Sequence, residues 1–266
     1  MTNENVYLPQ PVKVLENRRE THENFRLILD IPFKNEPGQF VQISVLGVGE
    51  APISIASWGR DYLMLHIREV GNVSRALGRL KEGDTVFIRG PYGNSYPLKQ
   101  AEGKNLIVVA GGCGVASVKG VFDYVERNRD KYKEVESFIG YRSAKDVLFA
   151  DYVNDWQKMM SVFVSLDTLK EGSCLDASEG FVSDLVKQTA LPAGDTVAIL
   201  CGPPIMMKLS GKALIDKGIR EDQVYVTEER LKYCATGTCC HCMIGSKFTC
   251  KDGPVFRWDE LKEHVR

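Results

Sequence analysis

Apolar positions in the N-terminal part of the chain come in short bursts. Segments 12–17, 25–30, 39–45, 63–68 and 85–89 are enriched in β-branched and aromatic residues with partial alternation, as half-buried strands require. Between them stand breakers: Pro37-Gly38, Gly47, Gly49, Gly59 and Gly83-Asp84. Short strands at this density predict an antiparallel Greek-key β-barrel. The pattern changes at Asn105. Residues 105–110 (NLIVVA) form a continuous apolar run, as expected of a strand buried on both faces. Helical periodicity follows over 117–128, 151–160, 182–189 and 205–217, alternating with strand-like runs at 135–141, 161–166, 196–201 and 224–227. That rhythm predicts an α/β doubly wound parallel sheet. The expected division is 1–100, 101–227 and a small C-terminal module, 228–266.

The last segment carries the strongest chemical signal. It reads CATGTCCHCMIGSKFTC, with cysteines at 234, 239, 240, 242 and 250. Cys234, Cys239, Cys242 and Cys250 give C-x4-C-x2-C-x7-C, whose first three members match the plant-type ligand spacing of a [2Fe–2S] cluster. Two irons need four converging thiolates, and a loop rich in Gly and Thr can aim backbone N–H groups at their sulfurs. A zinc ion is the competing metal, but closed zinc sites usually show two C-x2-C-like knuckles, and only Cys239/Cys242 forms one. Cys240 breaks the spacing if used in place of Cys239 and is read as a non-ligand. His241 has no second histidine nearby to make a Rieske centre.

Other candidates are weaker one by one. Ser54, in APISI at 51–55, could reach a ring nitrogen of a flavin or satisfy backbone at a strand end. Val70-Gly71-Asn72-Val73-Ser74 opens a short helix, with Ser74 as N-cap or phosphate ligand. GGCGVA at 111–116 joins the apolar strand to a helix, as a phosphate-cradling turn does, or as a tight turn needing positive φ does. It is not a G-x-G-x-x-G fingerprint. Cys201, before Gly202-Pro203-Pro204, could touch a nicotinamide ring or serve as a small buried hydrophobe.

Composition narrows the class. The 266 residues are 44% hydrophobic and 26% charged, those of a globular protein. A net charge of −1 leaves no basic excess to neutralise phosphates, which argues against a nucleic-acid binder. No apolar run reaches membrane-spanning length, and residues 1–10 lack a signal-peptide layout. Eight cysteines, five of them in one loop, fit a reducing compartment, so a cytoplasmic location is expected.

Taken together, the motifs resemble those of the ferredoxin–NADP reductase superfamily: a Ser-bearing flavin motif, GPYGN at 90–94, GGCGVA at 111–116 and CGPPIMM at 201–207. The tail ERLKYCATGTCCHCMIGSKFTCKDGPVF, 229–256, is similar to that of the cluster-bearing subgroup. This subgroup comprises the dihydroorotate dehydrogenase electron-transfer subunits, soluble hydrogenase gamma subunits and anaerobic sulfite reductase B subunits. GEAPISI at 49–55, EVGNVSRAL at 69–77 and LKEGDTVFIRGPYGNSYP at 80–97 most resemble the last group.

The resemblance implies FAD on the barrel, NAD(P)H as substrate on the α/β domain and a [2Fe–2S] cluster at the C-terminus. It implies that Pro52, Ile53, Ser54 and Ile55 line the isoalloxazine and that Gly71, Asn72, Val73 and Ser74 bind the FAD diphosphate. Gly111, Gly112, Gly114 and Val115 would flank the pyridine nucleotide, with Cys201, Gly202 and Pro203 facing the nicotinamide.

Two positions depart from the superfamily. Ala51 stands where an arginine usually pairs with the diphosphate, and Arg68 is a candidate replacement. Ser117 stands where a proline usually follows the glycine motif. The expected function is an oxidoreductase subunit that passes electrons from NAD(P)H through FAD and the cluster to a partner. Hydride transfer needs no separate general base, so no acid–base catalytic residue is assigned. The implied partners are a catalytic sulfite reductase subunit and an iron–sulfur subunit, docking at the rim 239–245 and at Phe256-Arg257-Trp258. The alternatives are the same module serving a dihydroorotate dehydrogenase or hydrogenase, and a zinc-bearing non-redox regulatory subunit.

Overall fold

The computed structural model describes residues 5–169 and 176–261; the outer ends of the first and last expected segments, and 170–175, lie outside them. Contacts divide the chain into two compact units, 1–95 with 229–254 and 96–228 with 255–266. The stretch 228–266 is thus shared: its cysteines belong to the first unit and 255–261 to the second.

In the first unit the strands are β1 (Gln10–Arg19), β2 (Asn24–Leu29), β3 (Phe40–Val45), β4 (Gly49–Ser54), β5 (Leu63–Arg68) and β6 (Thr85–Tyr92). Their order is β4-β3-β6-β1-β2-β5, with every pairing antiparallel. An antiparallel bridge from Ile55 to Leu65 brings the β4 edge to β5, giving the expected barrel. Alternate residues fill it, including Phe25, Leu27 and Leu29 of β2 and Leu63, Leu65 and Ile67 of β5. Helix α1 (Asn72–Leu77) plugs one end with Leu77. Sequence patterning missed β4 as a full strand. It begins with a glycine at φ 140° and carries Pro52, both depleted in strands, and is tolerated because β4 is an edge strand.

The second unit alternates β7 (Asn105–Gly111), α2 (Gly114–Arg127), β8 (Val135–Tyr141), α3 (Val153–Gln157), β9 (Ser161–Leu166), β10 (Ser178–Glu179), α4 (Val182–Gln188), β11 (Thr196–Cys201), α5 (Pro204–Asp216) and β12 (Val224–Thr227). Every residue of β7 and β11 is buried, which explains their unbroken apolar runs. Helix α2 starts at Gly114, a turn earlier than periodicity suggests, so Ser117 lies inside the helix rather than at its first position. The helix expected over 151–160 is shorter because a 3-10 turn at Ala150–Tyr152 precedes it, after Phe149 at φ 57°.

The chain then forms the small hairpin β13 (Met243–Ile244) and β14 (Lys247–Phe248) before β15 (Val255–Arg257) pairs antiparallel with β12. The second sheet therefore runs β10-β9-β8-β7-β11-β12-β15, parallel up to its last strand. Strand order reverses between β7 and β11, the switch point at which open α/β sheets bind ligands. Phe256 and Trp258 are 2% and 7% exposed. A Cβ on Gly211 of α5 would come within 2.3 Å of the Trp258 ring. These aromatics are packing elements of the α/β unit, which overturns the expectation that they dock a partner.

Candidate flavin, nucleotide and iron–sulfur sites

The cysteine loop is shaped by turns that few residues adopt. Ala235, Gly237 and Cys240 have φ of 65°, 78° and 58°. The β13–β14 hairpin returns the chain so that Thr249 donates its amide and its hydroxyl to Cys242 O, each at 3.1 Å. This brings Cys242 and Cys250 together, both 1% exposed. Amides of Thr236 and Cys239 point at Cys234 Sγ, each at 3.4 Å, and the Gly237 amide points at Cys250 Sγ at 3.2 Å.

Burial opposes ionisation of Cys234, but the Thr238 hydroxyl and the two amides outweigh it and hold the thiol down at about 5. Burial and the neighbouring Cys242 push Cys250 up to about 12. A favoured thiolate beside a crowded buried thiol pair, with amides directed at sulfur, fits a soft cationic iron–sulfur group. Cys239 and Cys240 are both exposed. Cys242 and Cys250 thus adjoin one another, with Cys234 near enough to act on Cys250, and the Cys239 amide reaches Cys234 Sγ while the residue stays exposed. Among the described residues, no group of three or more His, Cys, Asp or Glu side chains is arranged to hold a metal ion.

Side chains distant in sequence hold the loop against the barrel. Gln42 Nε2 donates to Lys232 O at 2.9 Å and to Tyr233 O at 3.2 Å. Arg89 donates to Cys234 O at 2.8 Å and to Tyr233 O at 2.9 Å. Asn94, the last residue of GPYGN, donates its amide to Gly253 O at 2.6 Å and its side-chain nitrogen to Asp252 O at 2.9 Å. Tyr7 and Thr236 share a hydroxyl–hydroxyl hydrogen bond of 2.9 Å. Sequence reasoning missed Gln42 and Arg89. A polar residue on an otherwise buried strand was the available signal.

On the barrel, Pro52, Ile53 and Ser54 lie half-buried on β4, and Ile55 is buried at the bridge to β5. Ser54 stands opposite Phe40 and Pro52 opposite Gln42. The N-cap of α1 is Gly71; Asn72 and Val73 begin the helix. The Ser74 hydroxyl accepts from the Val70 and Gly71 amides at 3.0 and 2.9 Å, so it closes the turn on itself. Arg68 is engaged by Glu23, through Nε at 2.8 Å and a terminal nitrogen at 2.7 Å.

At the switch point of the α/β unit, two turns interlock. A Cβ on Gly114 would lie 2.2 Å from Cys201 O, and one on Gly202 would lie 3.0 Å from both N and O of Gly111. A Cβ on Gly111 would meet Met206 Sδ at 2.4 Å. Gly112 has φ 52° with open space beside it. Val115 is fully buried and its amide donates to Gly112 O at 3.2 Å, so it supports the turn from inside. Cys201 is buried, Gly202 half-buried and Pro203 exposed at the head of α5.

Residues 108–212 match the oxidoreductase NAD-binding domain family. Residues 228–262 match the iron–sulfur cluster binding domain of dihydroorotate dehydrogenase B. The sulfhydrogenase 2 gamma subunit of Pyrococcus furiosus is 37% identical, over 94% of this chain and 89% of its own length. The probable dihydroorotate dehydrogenase B (NAD(+)) electron transfer subunit of Thermoplasma volcanium is 32% identical, over 94% of this chain and 90% of its own. The chain belongs to the family of sulfhydrogenase gamma and dihydroorotate dehydrogenase electron-transfer subunits.

It is an oxidoreductase of the NAD-binding, iron–sulfur kind, and the match over the cysteine loop sets the zinc reading aside. Its fold is that of ferredoxin–NADP reductases. A structure of an NADH-dependent reduced ferredoxin–NADP oxidoreductase superposes with a TM-score of 0.77 at 23% identity, covering 96% of this chain and 92% of that one. A Neisseria gonorrhoeae ferredoxin NADP+ reductase with bound FAD and NADP gives 0.68 at 19%, covering 82% and 97%. Among the described residues, no helix is long and apolar enough to cross a membrane.

Proposed function

We propose that this chain is a cytoplasmic electron-transfer subunit that takes electrons from NAD(P)H and delivers them, through FAD and a [2Fe–2S] cluster, to a separate catalytic subunit. The observation that carries the reading is the cysteine loop itself: amides are aimed at the sulfurs of Cys234 and Cys250 in the same unit as the β4 flavin motif. When bound, a flavin accepts an electron pair as hydride and releases electrons singly, which suits a cluster that accepts one at a time.

The chain's own residues supply position. Pro52, Ile53, Ser54 and Ile55 line the flavin ring, and the turn Gly71, Asn72, Val73 and Ser74 binds its diphosphate, with the Asn72, Val73 and Ser74 amides as donors and Gly71 giving close approach. Gly111, Gly112, Gly114 and Val115 form the turn that admits the pyridine nucleotide backbone, and Cys201, Gly202 and Pro203 border the nicotinamide. Cys234, Cys239, Cys242 and Cys250 hold the cluster, with Cys239 turning inward from its exposed position. No acid–base residue is required, because hydride transfer moves no separate proton.

For the partner, the similarity of motifs 49–55, 69–77 and 80–97 supports the catalytic subunit of an anaerobic sulfite reductase, together with an iron–sulfur subunit. A second reading, a hydrogenase catalytic subunit, is favoured by the 37% identity to a sulfhydrogenase gamma subunit over 94% of the chain. Mass identification of proteins that co-purify from the native cell separates the two. The relay itself is tested on protein purified without oxygen. Bound flavin, iron and visible bands that bleach on adding NADH or NADPH are expected; a colourless protein with neither flavin nor iron would sink the proposal.

A further inference from the structure

Arg89 is an unusual residue for a barrel strand. Its side chain is 8% exposed. A guanidinium offers five N–H donors and no acceptor, so burying it is costly unless each donor is met. Here all are. Nε donates to Glu50 Oε1 at 2.8 Å and one terminal nitrogen to Glu50 Oε2 at 2.5 Å. That nitrogen also reaches Tyr233 O at 2.9 Å, while the other donates to Cys234 O at 2.8 Å and Tyr92 Oη at 3.1 Å. The Tyr92 ring lies 5.4 Å below the guanidinium carbon. Glu50 immediately precedes the APISI motif on β4, and Tyr92 in turn donates to Val6 O.

The guanidinium thus joins the strand proposed to face the flavin to the backbone of the first cysteine in the loop. It is a fixed positive charge that donates directly to the carbonyl of Cys234, whose Sγ is met by the Thr236 and Cys239 amides. Its counter-charge is on the far side of the fork, on a Glu50 side chain that is 30% exposed and so partly screened by water.

We infer that Arg89 is a positioning residue for the iron–sulfur centre, fixing the Cys234 backbone and favouring uptake of an electron there through its buried charge. This rests on the reading of Cys234 as a cluster ligand. The centre becomes more negative when it takes an electron, so a nearby fixed cation stabilises its reduced form, and groups around the ligands tune such centres. Arg89 and Glu50 then push in opposite directions. A merely structural clamp has no such sign: breaking it from either end loosens the same loop.

The test is a redox titration of the cluster by its EPR signal in full-length protein purified anaerobically, with iron and flavin counted in each sample. Glu50→Gln should shift the midpoint potential upward, because the cation loses its counter-charge. Arg89→Gln should shift it downward, leaving Glu50 unopposed. Arg89→Lys should keep the potential near wild type while lowering iron retained per flavin, since an ammonium has three donors and no fork. Shifts of the same sign in the Glu50 and Arg89 variants, or no shift in either, overturn the inference. If Arg89→Gln does not fold, Glu50→Gln decides alone: an upward shift supports the role and an unmoved or lowered potential refutes it. Wild-type protein without iron would instead refute the relay reading, so the two failures are told apart.

Discussion

In the cysteine loop, main chain is held from outside by side chains; at the glycine turns of the α/β unit, main chain meets main chain. The loop takes its shape from Gln42, Arg89 and Asn94, each donating to one of its backbone carbonyls. The turns after β7 and β11 take theirs from contact so close that Gly114 has no room for a methyl group. A polar framework of the first kind can be weakened in steps, one bond at a time. A steric fit of the second kind fails all at once, because backbone cannot rotate away.

The largest effect expected is at a proposed ligand. Cys239→Ser should abolish the cluster's absorption and EPR signals while flavin stays bound. A cluster that survives would transfer the ligand role to Cys240 and show that the loop tolerates a shifted register. Next comes the steric side of the comparison. Gly114→Ala places a carbon 2.2 Å from Cys201 O and should cost about 3 kcal/mol in thermal unfolding and remove NAD(P)H binding. Gly112→Ala meets nothing and should cost only about 1 kcal/mol for its left-handed φ of 52°. Equal losses in the two variants would mean that close approach is not what shapes this turn.

On the polar side, Gln42→Ala strands the buried Lys232 carbonyl and leaves Tyr233 O to Arg89 alone; it should cost about 1 kcal/mol, with faster iron loss and unchanged nucleotide binding. Unchanged iron retention would mean that the loop does not depend on this side chain for its shape. The smallest effect is at Cys240. Its φ of 58° suits glycine, so Cys240→Gly should stabilise the loop by about 1 kcal/mol and keep the cluster. A lost EPR signal would show that the Cys240 thiol is a ligand after all.

What the sequence revealed follows the range of the forces involved. The β7 run and the helix periods are local, and they announced the α/β unit directly. The spacing of the cysteines is local too. Strand β15 is three residues long and acquires meaning only by pairing with β12, so it was invisible. The clamp was equally hidden. Arg89 is 145 positions from Cys234, and Gln42 is 190 from Lys232, separations across which no pattern of spacing carries information. Ser74 shows the reverse case. Its role could be read locally as cap or phosphate ligand, and the hydroxyl is engaged with the Val70 and Gly71 amides of its own turn.

The pairing of Thr227 with Val255 has a consequence for how the molecule could be taken apart. β12 and β15 are the two arms of a hairpin, and residues 228–254 are its connection. A hairpin of this geometry can be closed by a two-residue Asn-Gly turn. The cysteine-bearing segment is therefore an insertion in the edge hairpin of that sheet. Splicing Thr227 to Val255 through such a turn would yield a nucleotide-binding protein with its edge strand intact and no cysteines from the loop.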